Sequence, residues 1–204
     1  MTDKLDAETR LLAAIVYGES STADVFEEMA ALANVMVRQS KARGYNTISA
    51  FTSKEKSFSY VVTDGNKRFA KLMKSKELEI EKSSSMSDAV KAANNALNGG
   101  KDYSNGAYFW DGADIKSNYK NHFKVKNGIK FTDPLHNIYG INESTRLVKK
   151  EKTTKINING KIETKKEELW RYTYIYQSTA AYGGTIFWKQ NPDYIKYTHA
   201  KEYL

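Results

Sequence analysis

Apolar positions in residues 9–20 recur with a helical period: Leu12, Ile15, Val16 and Glu19 fall at i, i+3, i+4 and i+7, one face of a helix. Three of them point into a core, and the fourth is a carboxylate carried to the edge of that core or into a cleft beside it. Asp3 or Asp6 supplies the N-cap, and the helix is predicted to run to about Tyr17. Gly18 and the polar run Ser20-Ser21-Thr22 end it, so Glu19 stands at a helix-to-loop junction. Asp24 followed by Glu27 has the spacing of a capping box. A long second helix follows, with Val25, Met29, Leu32 and Met36 as its apolar stripe, Ala30 and Ala33 for close packing, and Gly44 as its stop. On this reading Glu27 is the capping partner and Glu28 an exposed helix residue.

Residues 45–59 read as irregular, with residues 57–62 as a short extended piece. Residues 66–81 predict a lysine-rich helix with a solvated face. Ser83-Ser84-Ser85 is a break, and Ser87 caps a further helix that ends at Gly99-Gly100. Asn105-Gly106 is a turn into a short aromatic strand. From about residue 142 the period changes from 3.6 to 2. Residues 146–177 alternate around an Asn159-Gly160 turn, which predicts a long hairpin or small sheet with residues 170–176 as one strand. A last turn is expected at Asn191-Pro192. The fold class is α+β: a mainly α region over residues 1–142 and a β-rich appendage over 143–204, packed on the same domain.

The net charge of +8 implies an anionic partner: nucleic acid, an acidic membrane face or the carboxylate-bearing bacterial cell wall. The 14 tyrosines and three tryptophans offer flat rings that stack on sugars or bases, though most such rings belong to cores and sheets. The absence of cysteine excludes disulfides and Cys-based zinc sites. His122, His136 and His199 are scattered, so no metal and no cofactor is expected, and no phosphate-binding glycine loop is present. No apolar run approaches the roughly 18–20 residues that span a bilayer. The polar, acidic start is not a secretory signal.

Four blocks, IVYGES (15–20), ALANVMVRQ (31–39), SFSY (57–60) and NGAYFWDG (105–112), resemble in order and spacing the SleB-like cell-wall hydrolases, over about residues 8–115. The resemblance implies a lysozyme-like fold, Glu19 as the catalytic acid, a second helix packed behind it, and a groove lined by the last two blocks. The chain departs from the family at Ser20-Ser21-Thr22-Ala23, where Ala-Arg-Gly-Glu is usual, and at Val37-Arg38, where the family has Asn-Arg.

A carboxylate partly removed from water keeps its proton to higher pH, as a general acid near neutrality requires. A surface Glu in a last helical turn is the plain alternative. Glycoside cleavage ordinarily uses two carboxyl groups, and the sequence offers one that is well placed. The resemblance suggests a lytic transglycosylase acting on the β-1,4 bond between N-acetylmuramic acid and N-acetylglucosamine, where Glu19 alone serves as acid and then base. Hydrolysis with Asp64 or Asp111 as helper stays open. Ser59, Tyr60 and Tyr108 are the expected partners of the N-acetyl groups, with Phe109 or Trp110 as a stacking wall, only one of which strand alternation turns to the groove. The competing reading is a non-catalytic module for anionic polymer, with residues 149–166 as a phosphate-tracking strip that Glu151 and Glu163 interrupt; a solvated hairpin explains the same residues. The expected partners are peptidoglycan strands and a cognate immunity protein, with neither nucleic acid nor membrane insertion. The expected place of action is the cell wall, reached through a secretion system or phage-type lysis.

Overall fold

The computed structural model describes residues 5–58, 60–159 and 161–204. Its centre is α1 (Ala7–Glu19), which Asp6 caps by accepting from the Thr9 amide at 2.9 Å. Leu12 through Tyr17 are buried without a break, so this helix is enclosed on all sides rather than laid on a core by one face. It is enclosed by α2 (Phe26–Ala42), α3 (Ile48–Lys54), α4 (Tyr60–Thr63), α5 (Lys67–Lys74) and α7 (Ser84–Leu97); α6 (Glu77–Lys82) packs on α7. Alanines at 13, 14, 30, 31, 33, 89, 92, 93 and 96 line the contacts between α1, α2 and α7. Their lack of bulk is what lets three backbones come close.

Several local expectations are corrected here. α2 has no capping box: Val25 is its N-cap without a side-chain bond, and Asp24, at φ 55°, pairs with Arg68 at 2.6 Å. The described residues of 57–62 are helical rather than extended, Ser57 and Phe58 in a 3-10 turn and Tyr60, Val61 and Val62 in α4. The helix expected over 66–81 breaks at Ser75-Lys76 into α5 and α6. α7 is capped by Ser83, four residues earlier than local pattern indicated. The Asp3 alternative for the first cap lies outside the described residues.

A four-stranded sheet in the order β1-β6-β5-β2 closes one side of the helices; its strands are β1 (Phe109–Asp111), β2 (Ile129–Lys130), β5 (Tyr176–Tyr182) and β6 (Thr185–Gln190). Strands from either side of residue 142 therefore share one sheet. β6 shows why it holds: Phe187 enters the helical core, while Ile186 and Trp188, on the opposite face, join Ile115, Val125, Ile129 and Tyr176 in a second, smaller core. Between β1 and β2 lie two short helices, α8 (Asp114–Ser117) and α9 (Phe123–Asn127).

The expected hairpin forms from β3 (Val148–Ile158) and β4 (Lys161–Tyr172), a separate two-stranded ribbon with a register shift at Lys150/Glu151. Every described residue of 149–169 is exposed. Only its base is anchored, where Trp170 stacks on Tyr197 at 5.2 Å and Tyr172 meets Tyr194 edge-on at 5.3 Å, both tyrosines from α10 (Pro192–Thr198). Residues 170–176 are not one strand, because residues 173–175 turn the chain from the ribbon into β5. Asn191-Pro192 is not a free turn but the N-cap and first residue of α10. The fold is α+β, and no helix among the described residues is long and apolar enough to cross a membrane.

Candidate functional site

Glu19 is the last residue of α1, and the chain around it is tied down by side chains from α5, with its N-cap, and from α2. Asn66 donates to the Gly18 carbonyl (3.1 Å), and Arg68 donates to the Ser21 carbonyl (2.8 Å) while its guanidinium covers the Tyr17 ring at 4.1 Å. Ser21 in turn donates to the Glu28 carboxylate at 2.6 Å. Gly18 is required by proximity: a Cβ there would meet Val61 Cγ2 at 3.0 Å, Asn66 Oδ1 at 3.1 Å and Phe69 Cβ at 3.2 Å. α4 and α5 can thus close over the end of α1 and shield the neighbouring carboxyl.

That shielding sets the chemistry of Glu19. Burial, with the nearby Asp64 charge adding to it, pushes the carboxyl from 4.5 up to about 7, against a smaller opposing pull from a hydrogen bond with the Val61 backbone. The group is half-buried and opens onto solvent-filled space on two sides.

The first lobe, about 490 Å³, is bounded by Glu19, Phe58, Tyr60, Asp64, Phe109 and Trp110; the second, also about 490 Å³, by Glu19, Trp110, Asp111, Asp114, Tyr139 and Thr185. Glu19, Trp110 and Asp111 line both. The result is a two-lobed groove with the Glu19 and Asp111 side chains, and the Trp110 ring, where the lobes meet.

Most of the residues expected from sequence meet here. Tyr60, 68% exposed, stands at the rim of the first lobe. Phe109 and Trp110 both reach it, which corrects the expectation that only one could. β1 is an edge strand, paired on one side with β6 alone, so its free edge faces the groove and side chains from both of its faces lean over that edge. Trp110 is braced edge-on by Phe58 (5.5 Å) and Phe109 by Tyr176 (5.7 Å). Tyr108 lines neither lobe. It turns to the far side of the strand, where Arg38 lies over its ring at 5.7 Å. Ser59 lies outside the described residues.

Sequence reasoning missed the role of Glu28. It is fully buried, and Glu27 is the exposed one of the pair, the reverse of the expectation. Glu28 accepts from Ser21 Oγ (2.6 Å), the Gly184 amide (3.0 Å) and Thr185 Oγ1 (2.8 Å), joining the loop after Glu19 to the β5–β6 turn beneath the second lobe. Gly183 in that turn has φ 54°, and a Cβ on it would lie 2.2 Å from Glu28 Oε2. The signal was available: Glu28, Leu32, Val35 and Gln39 fall at i, i+4, i+7 and i+11, and all four are buried. Lys124, whose ammonium pairs with Asp111 at 2.9 Å, comes from α9, for which no local pattern was read.

No family model, no curated protein and no solved structure matches this chain.

Proposed function

We propose that this chain is a peptidoglycan glycosidase that cleaves the β-1,4 bond between N-acetylmuramic acid and N-acetylglucosamine as a lytic transglycosylase. The observation that carries the reading is the half-buried Glu19, its proton held to about pH 7, at the waist of a two-lobed groove with aromatic walls. A glycan strand laid through both lobes sets one glycosidic oxygen beside that carboxyl. Glu19 gives its proton to the oxygen as the C1–O bond breaks and the N-acetylglucosamine leaves with a free 4-hydroxyl. The muramoyl 6-hydroxyl then closes onto C1, and its proton passes to the Glu19 carboxylate, which restores the acid. The substrate supplies the nucleophile, so one carboxyl completes the cycle. Trp110, common to both lobes, holds the sugars on either side of the scissile bond, and Tyr60 meets the outer face of the first.

A hydrolytic variant is favoured by one observation: the Asp64 carboxylate lines the same lobe as Glu19 and is the group there that would orient a water. Digestion of purified sacculi tests the proposal. Wild type releases muropeptides and Glu19→Gln releases none while keeping its fold. Mass spectrometry separates the chemistries, with 1,6-anhydro ends for transglycosylation and reducing ends for hydrolysis. Equal lysis by the Gln variant would refute the assignment, and wall binding without any lysis by wild type would favour the non-catalytic module. A wall-lysing protein endangers the cell that makes it, so a small inhibitor seated in the groove is the partner this reading calls for.

A further inference from the structure

The chain folds Asp111 at the end of β1, Asp114 at the start of α8 and His122 just before α9 into one cluster, whose ligand atoms all lie within 4.8 Å of one another. His122 Nε2 stands 3.3 Å from Asp111 Oδ1 and 3.4 Å from Asp114 Oδ2. These separations are longer than the roughly 2.7–2.9 Å of a charge-assisted hydrogen bond. They match the edge of a tetrahedron whose centre-to-ligand bonds are about 2.0–2.1 Å, which is the zinc–nitrogen and zinc–carboxylate range. A second observation concerns the other oxygen of the same Asp111 carboxylate, Oδ2, rather than the Oδ1 from which the 3.3 Å is measured. Asp111 is only 9% exposed, Lys124 satisfies its Oδ1, and its Oδ2 is buried with no hydrogen-bond partner. A buried carboxylate oxygen without a donor is costly unless something positive completes it.

We propose that Asp111, Asp114 and His122 form a three-ligand zinc site on the wall of the second lobe. The three side chains are one imidazole and two carboxylates, a borderline nitrogen–oxygen set suited to Zn²⁺. Asp111 and Asp114 line the lobe and His122 lies behind them, so the fourth position faces the groove and takes water. Bound zinc ties α8 to β1 and so fixes that wall. The Lys124 ammonium, already on Asp111, is the built-in competitor. The site stands on its own geometry and does not depend on the glycosidase reading.

Isothermal titration of the full, metal-stripped chain with zinc chloride tests it. One saturable site per chain is expected, together with a rise in Tm of about 5–10 °C at a hundredfold excess over Kd. Asp114→Asn, at an exposed position that leaves the fold intact, weakens binding at least tenfold, and His122→Gln abolishes the site. Lys124→Met tightens it by removing the competing charge, which a site elsewhere on the surface would not register. His199→Ala leaves it unchanged. No saturable binding below about 1 mM zinc, or a site indifferent to Asp114→Asn and His122→Gln, overturns the proposal.

Discussion

Replacing Glu19 by Gln removes a charge while keeping the shape, and the oxygen that meets the Val61 backbone is retained. The native carboxyl titrates at about 7 instead of 4.5, so between those values the folded state holds a proton that the unfolded chain has released. The stability that this proton brings is fully present below about pH 4.5, falls as pH rises, and is gone above about 7. At about 1.4 kcal/mol per pH unit the full cost of the buried charge is about 3 kcal/mol, and solvent reaching a half-buried group trims this to about 2 kcal/mol. Glu19→Gln escapes that cost. For a chain of this size 1 kcal/mol moves Tm by about 2–4 °C, so at about pH 8.5 the variant should melt about 4–8 °C above wild type, and at about pH 4 the two should coincide. Calorimetry across this range reads the difference directly. A difference that stays flat with pH, or a variant that melts lower at alkaline pH, would show that the carboxyl is well solvated and that the argument for a shielded acid is wrong.

Other perturbations have equally definite outcomes. Glu28→Ala leaves Ser21 Oγ, the Gly184 amide and Thr185 Oγ1 without their shared acceptor, and should lower unfolding free energy by about 3–5 kcal/mol in urea titrations. Wall lysis by wild type should decline above about pH 7, as the Glu19 proton is lost; turbidity assays give the profile. Trp110→Ala removes the ring shared by both lobes, and the loss of about 1 kcal/mol of stacking should lower kcat/KM roughly fivefold. Replacing residues 153–166 by Asn-Gly shortens the exposed ribbon without touching its base, and should change unfolding free energy by less than about 0.5 kcal/mol.

The parts legible in the sequence were those set by local period. Leu12, Ile15 and Val16 are buried and Glu19 ends its helix, as the i, i+3, i+4, i+7 spacing requires. Asn159 stands at the turn of the ribbon with φ 52°, and the two arms pair antiparallel from Val148↔Tyr172 to Ile158↔Lys161, as the turn signal led one to expect, although neither face is buried over the described residues of 149–169. What local pattern could not supply was tertiary. Residues 57–62 look extended by composition, yet packing at the end of α1 goes with helical turns at 57–58 and 60–62. Glu28 is polar and so read as exposed, but three donors brought from the loop and the β5–β6 turn make its burial tolerable. Asp24 fits a capping box by spacing, but Arg68, 44 residues onward, takes its carboxylate instead. Tyr108 was expected, with Ser59 and Tyr60, to meet the N-acetyl groups, whereas it lies beside Arg38, away from both lobes.

The pairing of Trp110 with Phe187 sets an order of events during synthesis. A nascent chain that has emerged as far as α7 already carries Glu19 and the helices that enclose it, but β1 then has nothing to lie against until β6 is made. The carboxyl therefore exists long before the β1 wall of the groove beside it. Incomplete chains, including those cut short by stalled ribosomes or clipped by proteases ahead of Thr185, carry Glu19 and the Phe58 and Tyr60 side of the groove without a paired β1 opposite. If the glycosidase proposal holds, such late completion confines cleavage to molecules in which β6 has been made and paired with β1.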